Sequence, residues 1–116
     1  MASQPAEQEL AAQFRRTQTE LQSLVAKITE LEREADEHSL VLETLQQAST
    51  SEPDRKCFRL VGGVLVERTV KDVLPQLEGQ TEQLKNVLET LTNEYKKKER
   101  NFAQWQRDNK IVIKQR

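Results

Sequence analysis

The chain has 116 residues but only five aromatic ones: Phe14, Phe58, Tyr95, Phe102 and Trp105. A compact core of this length calls for more aromatic and β-branched mass, so an ordinary globular enzyme is disfavoured from the outset. A single cysteine, Cys57, excludes an intramolecular disulfide and fits a reducing compartment. A single histidine, His38, excludes a histidine-rich metal site. No apolar stretch approaches the roughly 20 residues a membrane span needs. The first residues, Met1-Ala2-Ser3-Gln4-Pro5, have neither the charged nor the apolar region of a secretory signal, so a cytoplasmic protein is expected. No Ser-His-Asp set, phosphate loop or metal cluster appears, so no catalytic residue, metal or cofactor is expected. Three glycines and three prolines leave room for few loops.

What is present is helix-forming. Ala, Glu, Lys, Leu and Arg make up close to half of the chain, the composition of long helices and coiled coils. Charge is unevenly spread: residues 1–54 hold eleven acids against four bases, and residues 55–116 fourteen bases against eight acids. Halves of opposite sign are expected to lie against each other.

The apolar pattern explains the composition. Steps of four and three from Leu10 reach Phe14, Thr17, Leu21, Leu24, Ile28, Leu31, Ala35, His38, Leu42 and Leu45. That 3.5-residue period is the seam of a left-handed coiled coil. It stops at Ser49-Thr50-Ser51-Glu52-Pro53-Asp54, a stretch of helix-breaking residues. A second seam starts at Val70 and continues through Leu74, Leu77, Thr81, Leu84, Leu88, Leu91, Tyr95, Lys98, Phe102, Trp105, Asn109 and Val112. Thr69 is placed to cap its first turn, with Asp72 completing a short-armed capping box, and Pro75 is expected to kink or restart the helix. Two arms of similar length should fold back antiparallel. The register that opposes core with core pairs Leu45 with Leu74, Ile28 with Leu91, Leu24 with Tyr95, Thr17 with Phe102 and Phe14 with Trp105. His38 then faces Thr81 as a polar layer. The expected organisation is a single domain over 1–116: helix at 5–49, linker at 50–56, β-hairpin at 57–68 and helix at 70–113.

The hairpin is read from two β-rich runs, Cys57-Phe58-Arg59-Leu60-Val61 and Val64-Leu65-Val66-Glu67-Arg68, around Gly62-Gly63. A Gly-Gly pair supplies the positive φ angles of a two-residue hairpin turn. Val61 then faces Val64, Leu60 faces Leu65 and Arg59 faces Val66. Leu60 and Leu65 lie on one face, and Val61, Val64 and Val66 on the other. A lone two-stranded hairpin is marginal in water and its edges carry unpaired backbone groups. The hairpin is therefore expected to complete a sheet or barrel with other subunits.

The run from Arg55 to Pro75, centred on Gly62-Gly63, together with Glu37-His38-Ser39-Leu40-Val41-Leu42-Glu43-Thr44-Leu45, resembles the β-type subunits of the eukaryotic prefoldin family. The likeness covers roughly residues 8–114. It implies a mainly α fold, a long antiparallel two-helix coiled coil with one connecting β-hairpin that joins an intersubunit β-barrel. It also implies a heterohexamer in which this chain meets two α-type and three further β-type subunits. Such a complex holds non-native proteins, notably actin and tubulin, and passes them to the cytosolic group II chaperonin without ATP. The assembly residues are then Phe58, Leu60, Val61, Gly62, Gly63, Val64, Leu65 and Val66.

Client contact is expected at the helix ends, through Leu10, Phe14, Phe102, Trp105, Ile111, Val112 and Ile113. For Phe14, Phe102 and Trp105 the alternative is ordinary seam packing. Ile111 and Ile113 fall off the seam and are expected to be exposed. Residues 96–116 are also basic, either as a solvated face or as an attraction for acidic partners; neither nucleic acid nor membrane is expected as a partner. A plain coiled-coil scaffold binding a folded partner is the other reading, but it needs only a tight helical turn where Gly62-Gly63 stands.

Overall fold

The computed structural model describes residues 6–112. Helix α1 spans Glu7–Ser51, strand β1 Lys56–Val61, strand β2 Val64–Thr69 and helix α2 Val70–Asp108. The fold is mainly helical, two long helices joined by one antiparallel hairpin, as the resemblance implies. The chain divides into two compact units. A terminal unit combines residues 1–29 and 89–116, and a hairpin unit comprises residues 30–88. Among the described residues, no helix is long and apolar enough to cross a membrane.

The helical seams lie where the 3.5-residue period puts them. All eleven α1 positions from Leu10 to Leu45 are at least half-buried, and Leu31 is buried. On α2, Val70 and Thr81 are buried, and the other seam positions from Leu74 to Asn109 are half-buried. The core is thus a thin line. Only Leu31, Val70 and Thr81 are buried among the described residues.

Local chemistry sets the element ends. Helix α1 does not stop at residue 49 as expected but continues to Ser51. The Ser49 hydroxyl donates to the Gln46 carbonyl, Thr50 to the same carbonyl and Ser51 to that of Gln47. These residues supply donors to the last turn instead of breaking it, and the chain leaves the helix only ahead of Pro53. At its other end, the amide of Leu10 donates to the Ala6 carbonyl, and the carboxylates of Glu7 and Glu9 lie in the first turn, where the helix dipole favours them.

The start of α2 is tied to the linker. The amide of Val70 donates to the Arg55 carbonyl at 3.0 Å, and that of Lys71 to the Pro53 carbonyl at 3.1 Å. The amide of Asp72 donates to the Thr69 hydroxyl at 3.3 Å, so the first three amides of the helix are all satisfied. Helix α2 runs unbroken through Pro75 rather than restarting there. The proline costs one hydrogen bond, to the carbonyl of Lys71, whose exposed position lets water replace it.

Helix α2 was expected to reach residue 113 and ends at Asp108. Lys110 takes a left-handed φ of 53°, its amide donates to the Arg107 carbonyl at 3.2 Å, and the Ile111 amide donates to the Gln106 carbonyl at 2.9 Å. This is a Schellman stop built on lysine where glycine is usual. It breaks the heptad phase, because residues past it no longer follow the helical screw.

Candidate functional site

Two parts of the chain hold the residues singled out above, one in each unit. In the hairpin unit, Gly62 and Gly63 have φ of 55° and 83°. Both central residues of the turn are therefore left-handed, the type I′ geometry whose twist matches that of the flanking strands. The register follows: Val61 pairs with Val64, Leu60 with Leu65, Arg59 with Val66, Phe58 with Glu67 and Cys57 with Arg68. Because side chains alternate along a strand, Phe58, Leu60, Leu65 and Glu67 share one face. Cys57, Arg59, Val61, Val64, Val66 and Arg68 share the other.

Both faces are open near the turn. Phe58, Leu60, Val61, Val64 and Leu65 are all more than half exposed, with Leu60 at 68%. Val66, Cys57 and Thr69, toward the root, are half-buried. The two strands form the whole sheet, so each has an unpaired outer edge. On the first face, Lys56 and Glu67 pair across the strands at 3.3 Å and neutralise each other. At the root of the hairpin lies a groove of about 350 Å³, lined by Val41 of α1, Leu77 of α2 and Cys57, Phe58, Arg59 and Arg68 of the strands.

His38 also lines this groove, and its Nδ1 is buried without a hydrogen-bond partner. The Thr81 hydroxyl donates to the Leu77 carbonyl at 2.8 Å, within its own helix. The polar layer expected of His38 and Thr81 is therefore not closed by a hydrogen bond at Nδ1. A helical threonine has its i−4 carbonyl always within reach, and here it uses it.

In the terminal unit the helix segments run in opposite directions and meet through rings. Phe14 contacts Phe102 with centroids 5.1 Å apart, and Phe102 stacks near Trp105 at 6.0 Å and 18°. The pairing expected of Phe14 with Trp105 is thus made by Phe102 instead, while Thr17, Phe102 and Trp105 line a common groove. A knob enters a hole bounded by several residues, so opposed layers interleave rather than face off singly. Lys98 reaches Glu20 across the helices at 3.7 Å, the kind of contact anticipated from halves of opposite charge. Tyr95 donates to the Glu99 carboxylate, which raises the phenol above its ordinary value, with some desolvation adding to the effect.

At the end of α2 the expected exposures are reversed. Val112, placed on the seam by its phase, is 82% exposed, and Ile111, placed off it, is half-buried. The left-handed Lys110 is the reason, since it swings the chain out of helical phase. Leu10, Phe14, Ile111 and Val112 surround an open notch of about 500 Å³. Ile113 lies outside the described residues.

Sequence reasoning missed two features. The groove at the hairpin root depends on how the strands approach the helices, which no local pattern announces. The Schellman stop lacks its usual glycine, so its only sequence signal is the Asp108-Asn109 pair ahead of Lys110, residues that favour turns.

Comparison with known proteins agrees with this geometry. The profile of the family described as Prefoldin subunit matches residues 8–116. Prefoldin subunit 2 of Homo sapiens is 45% identical over 106 residues, covering 91% of this chain and 67% of that protein. The probable prefoldin subunit 2 of Schizosaccharomyces pombe is 42% identical over 114 residues, covering 97% of both. Prefoldin subunit 2 of Arabidopsis thaliana is 38% identical over 109 residues, covering 94% of this chain and 72% of that protein. Two long helices around one hairpin, an open sheet that calls for further subunits, and a family match over nearly all of its length together place this chain in the prefoldin family of co-chaperone subunits.

Proposed function

We propose that the chain joins two α-type and three further β-type subunits through its hairpin and holds non-native proteins with its terminal unit. Phe58, Leu60, Val61, Val64, Leu65 and Val66, presented by the Gly62-Gly63 turn, complete a barrel with neighbouring strands. Leu10, Phe14, Phe102, Trp105, Ile111, Val112 and Ile113 contact the client. Actin and tubulin chains are the favoured clients, and a group II chaperonin in the cytoplasm receives them without ATP. The observation that carries this reading is the open apolar surface at both places, above all the exposure of Leu60 and Val112.

Such capture is weak at each contact, about 1–3 kcal/mol for a large apolar side chain that becomes buried. Several subunits held on one barrel raise the effective concentration and give avidity while still permitting release. No bond is made or broken in this reading, so the work is that of a binding protein rather than an enzyme.

Removal of residues 110–116 tests the holding role. The truncated chain is expected to assemble with its partners as before but to suppress aggregation of denatured actin less effectively, by several-fold in the concentration required. Suppression equal to that of the intact complex refutes the assignment of client contact to this end.

A further inference from the structure

The two faces of the hairpin differ in charge. On the face of Phe58, Leu60 and Leu65, the one cation, Lys56, is neutralised by Glu67. On the other face, Arg59 and Arg68 are exposed and neither has an ion-pair partner among the described residues. Both arginines line the groove at the hairpin root, beside the apolar Val41, Leu45, Val73 and Leu77. The same groove is lined by His38, whose Nδ1 is buried and unpartnered. A buried polar atom without a partner is costly, and a guanidinium is built to hold a carboxylate by two parallel hydrogen bonds.

We propose that this groove takes an acidic, apolar segment of a neighbouring prefoldin subunit, and that Arg59 and Arg68 select that neighbour by pairing with its carboxylates. The proposal rests on the reading of the hairpin as the assembly element and assigns its two faces different partners. The self-neutralised face receives an apolar, uncharged surface. The arginine face receives an apolar surface that carries negative charge. Two arguments fix the occupant. The groove is continuous with the strands through which subunits of this family assemble, and its unpaired charge is all of one sign. A neighbour with basic residues at that place is rejected by like-charge repulsion, so the pair specifies order as well as affinity.

The test uses the full chain co-expressed with its partner subunits and compares three variants with the wild type. Arg59→Glu/Arg68→Glu is expected to lower incorporation into the complex roughly tenfold, and Arg59→Gln/Arg68→Gln less, with both chains retaining wild-type helicity by circular dichroism. Wild-type assembly should weaken as salt rises from about 0.05 to 0.5 M, and the glutamine variant should respond less. Leu60→Asp/Leu65→Asp, on the opposite face, reports on hairpin assembly itself and should abolish incorporation.

A measurement without substitutions guards against misfolding. Cys57, the only cysteine of the chain, lines the groove. Its labelling by a maleimide, read by mass spectrometry of its own peptide, should slow several-fold in the complex relative to the free chain. If Leu60→Asp/Leu65→Asp fails to assemble while the glutamate variant incorporates normally, or if Cys57 labels equally in both states, the inference is wrong and the assembly reading stands. If the Leu60→Asp/Leu65→Asp chain assembles as well, the assembly reading falls and takes the inference with it.

Discussion

The ring cluster of the terminal unit and the strands of the hairpin unit use their apolar residues in opposite ways. In the terminal unit, Phe14, Phe102 and Trp105 are half-buried against one another across two segments of the same chain. In the hairpin unit, Phe58, Leu60 and Leu65 lie between 64% and 68% exposed. The difference is one of geometry. A helix has a single apolar stripe, and a second helix covers it. A two-stranded sheet has two faces and two edges, and a chain with only two helices cannot cover them all. The helical seam is therefore covered within the chain, whereas the hairpin is left open, as the proposed assembly role requires.

The comparison is broken most severely at the turn. Gly62→Val with Gly63→Val places β-branched residues at φ of 55° and 83°. A Cβ at either position meets nothing within 4 Å, so the cost reckoned is that of the backbone conformation. About 2–4 kcal/mol in all is expected, enough to dissolve an unsupported hairpin. Incorporation into the complex should be lost while the helical signal of the chain remains. Normal incorporation would show that the turn does not set the register on which assembly depends.

A smaller effect is expected in the terminal unit. Phe102→Ala removes both ring contacts, to Phe14 and to Trp105, at a half-buried site. About 2 kcal/mol is lost, below the range for a fully buried phenylalanine, and thermal unfolding of this segment shifts downward. Incorporation through the hairpin should be unchanged. A loss of assembly equal to that of the glycine variants would mean that the two units are not independent in this respect.

The smallest effect sharpens the picture of the chain end. Lys110→Gly relieves a left-handed residue that glycine adopts freely, so about 0.5–1 kcal/mol of stabilisation is expected. Amide exchange at Ile111, whose amide donates to the Gln106 carbonyl, should slow. Unchanged or faster exchange would argue that the helix continues past Asp108 in solution.

Much of the fold was legible in the residues alone. The seams were, because each rests on a repeat that any long helix must project onto one side. The hairpin register was as well, because a Gly-Gly pair between two β-rich runs leaves one tight turn and therefore one pairing. The end of α1 was legible only in part. Ser49, Thr50 and Ser51 read as helix breakers, yet each hydroxyl found a carbonyl one turn back. Whether such residues stop or extend a helix depends on which hydrogen bond they make, and composition does not say.

By itself, then, the sequence determined the features that arise from contacts within a few residues: two heptad helices, the type I′ turn and the capping of α2 by Thr69. The tertiary structure decided what depends on residues far apart in the chain or on a break in helical phase. It set which of Ile111 and Val112 faces water, which ring Phe14 meets, and which arginines remain unpaired beside an apolar groove. The reason is that periodic patterns encode direction relative to a local axis. Exposure and pairing depend on where another segment stands, and at the hairpin the proposed function assigns that segment to a neighbouring subunit.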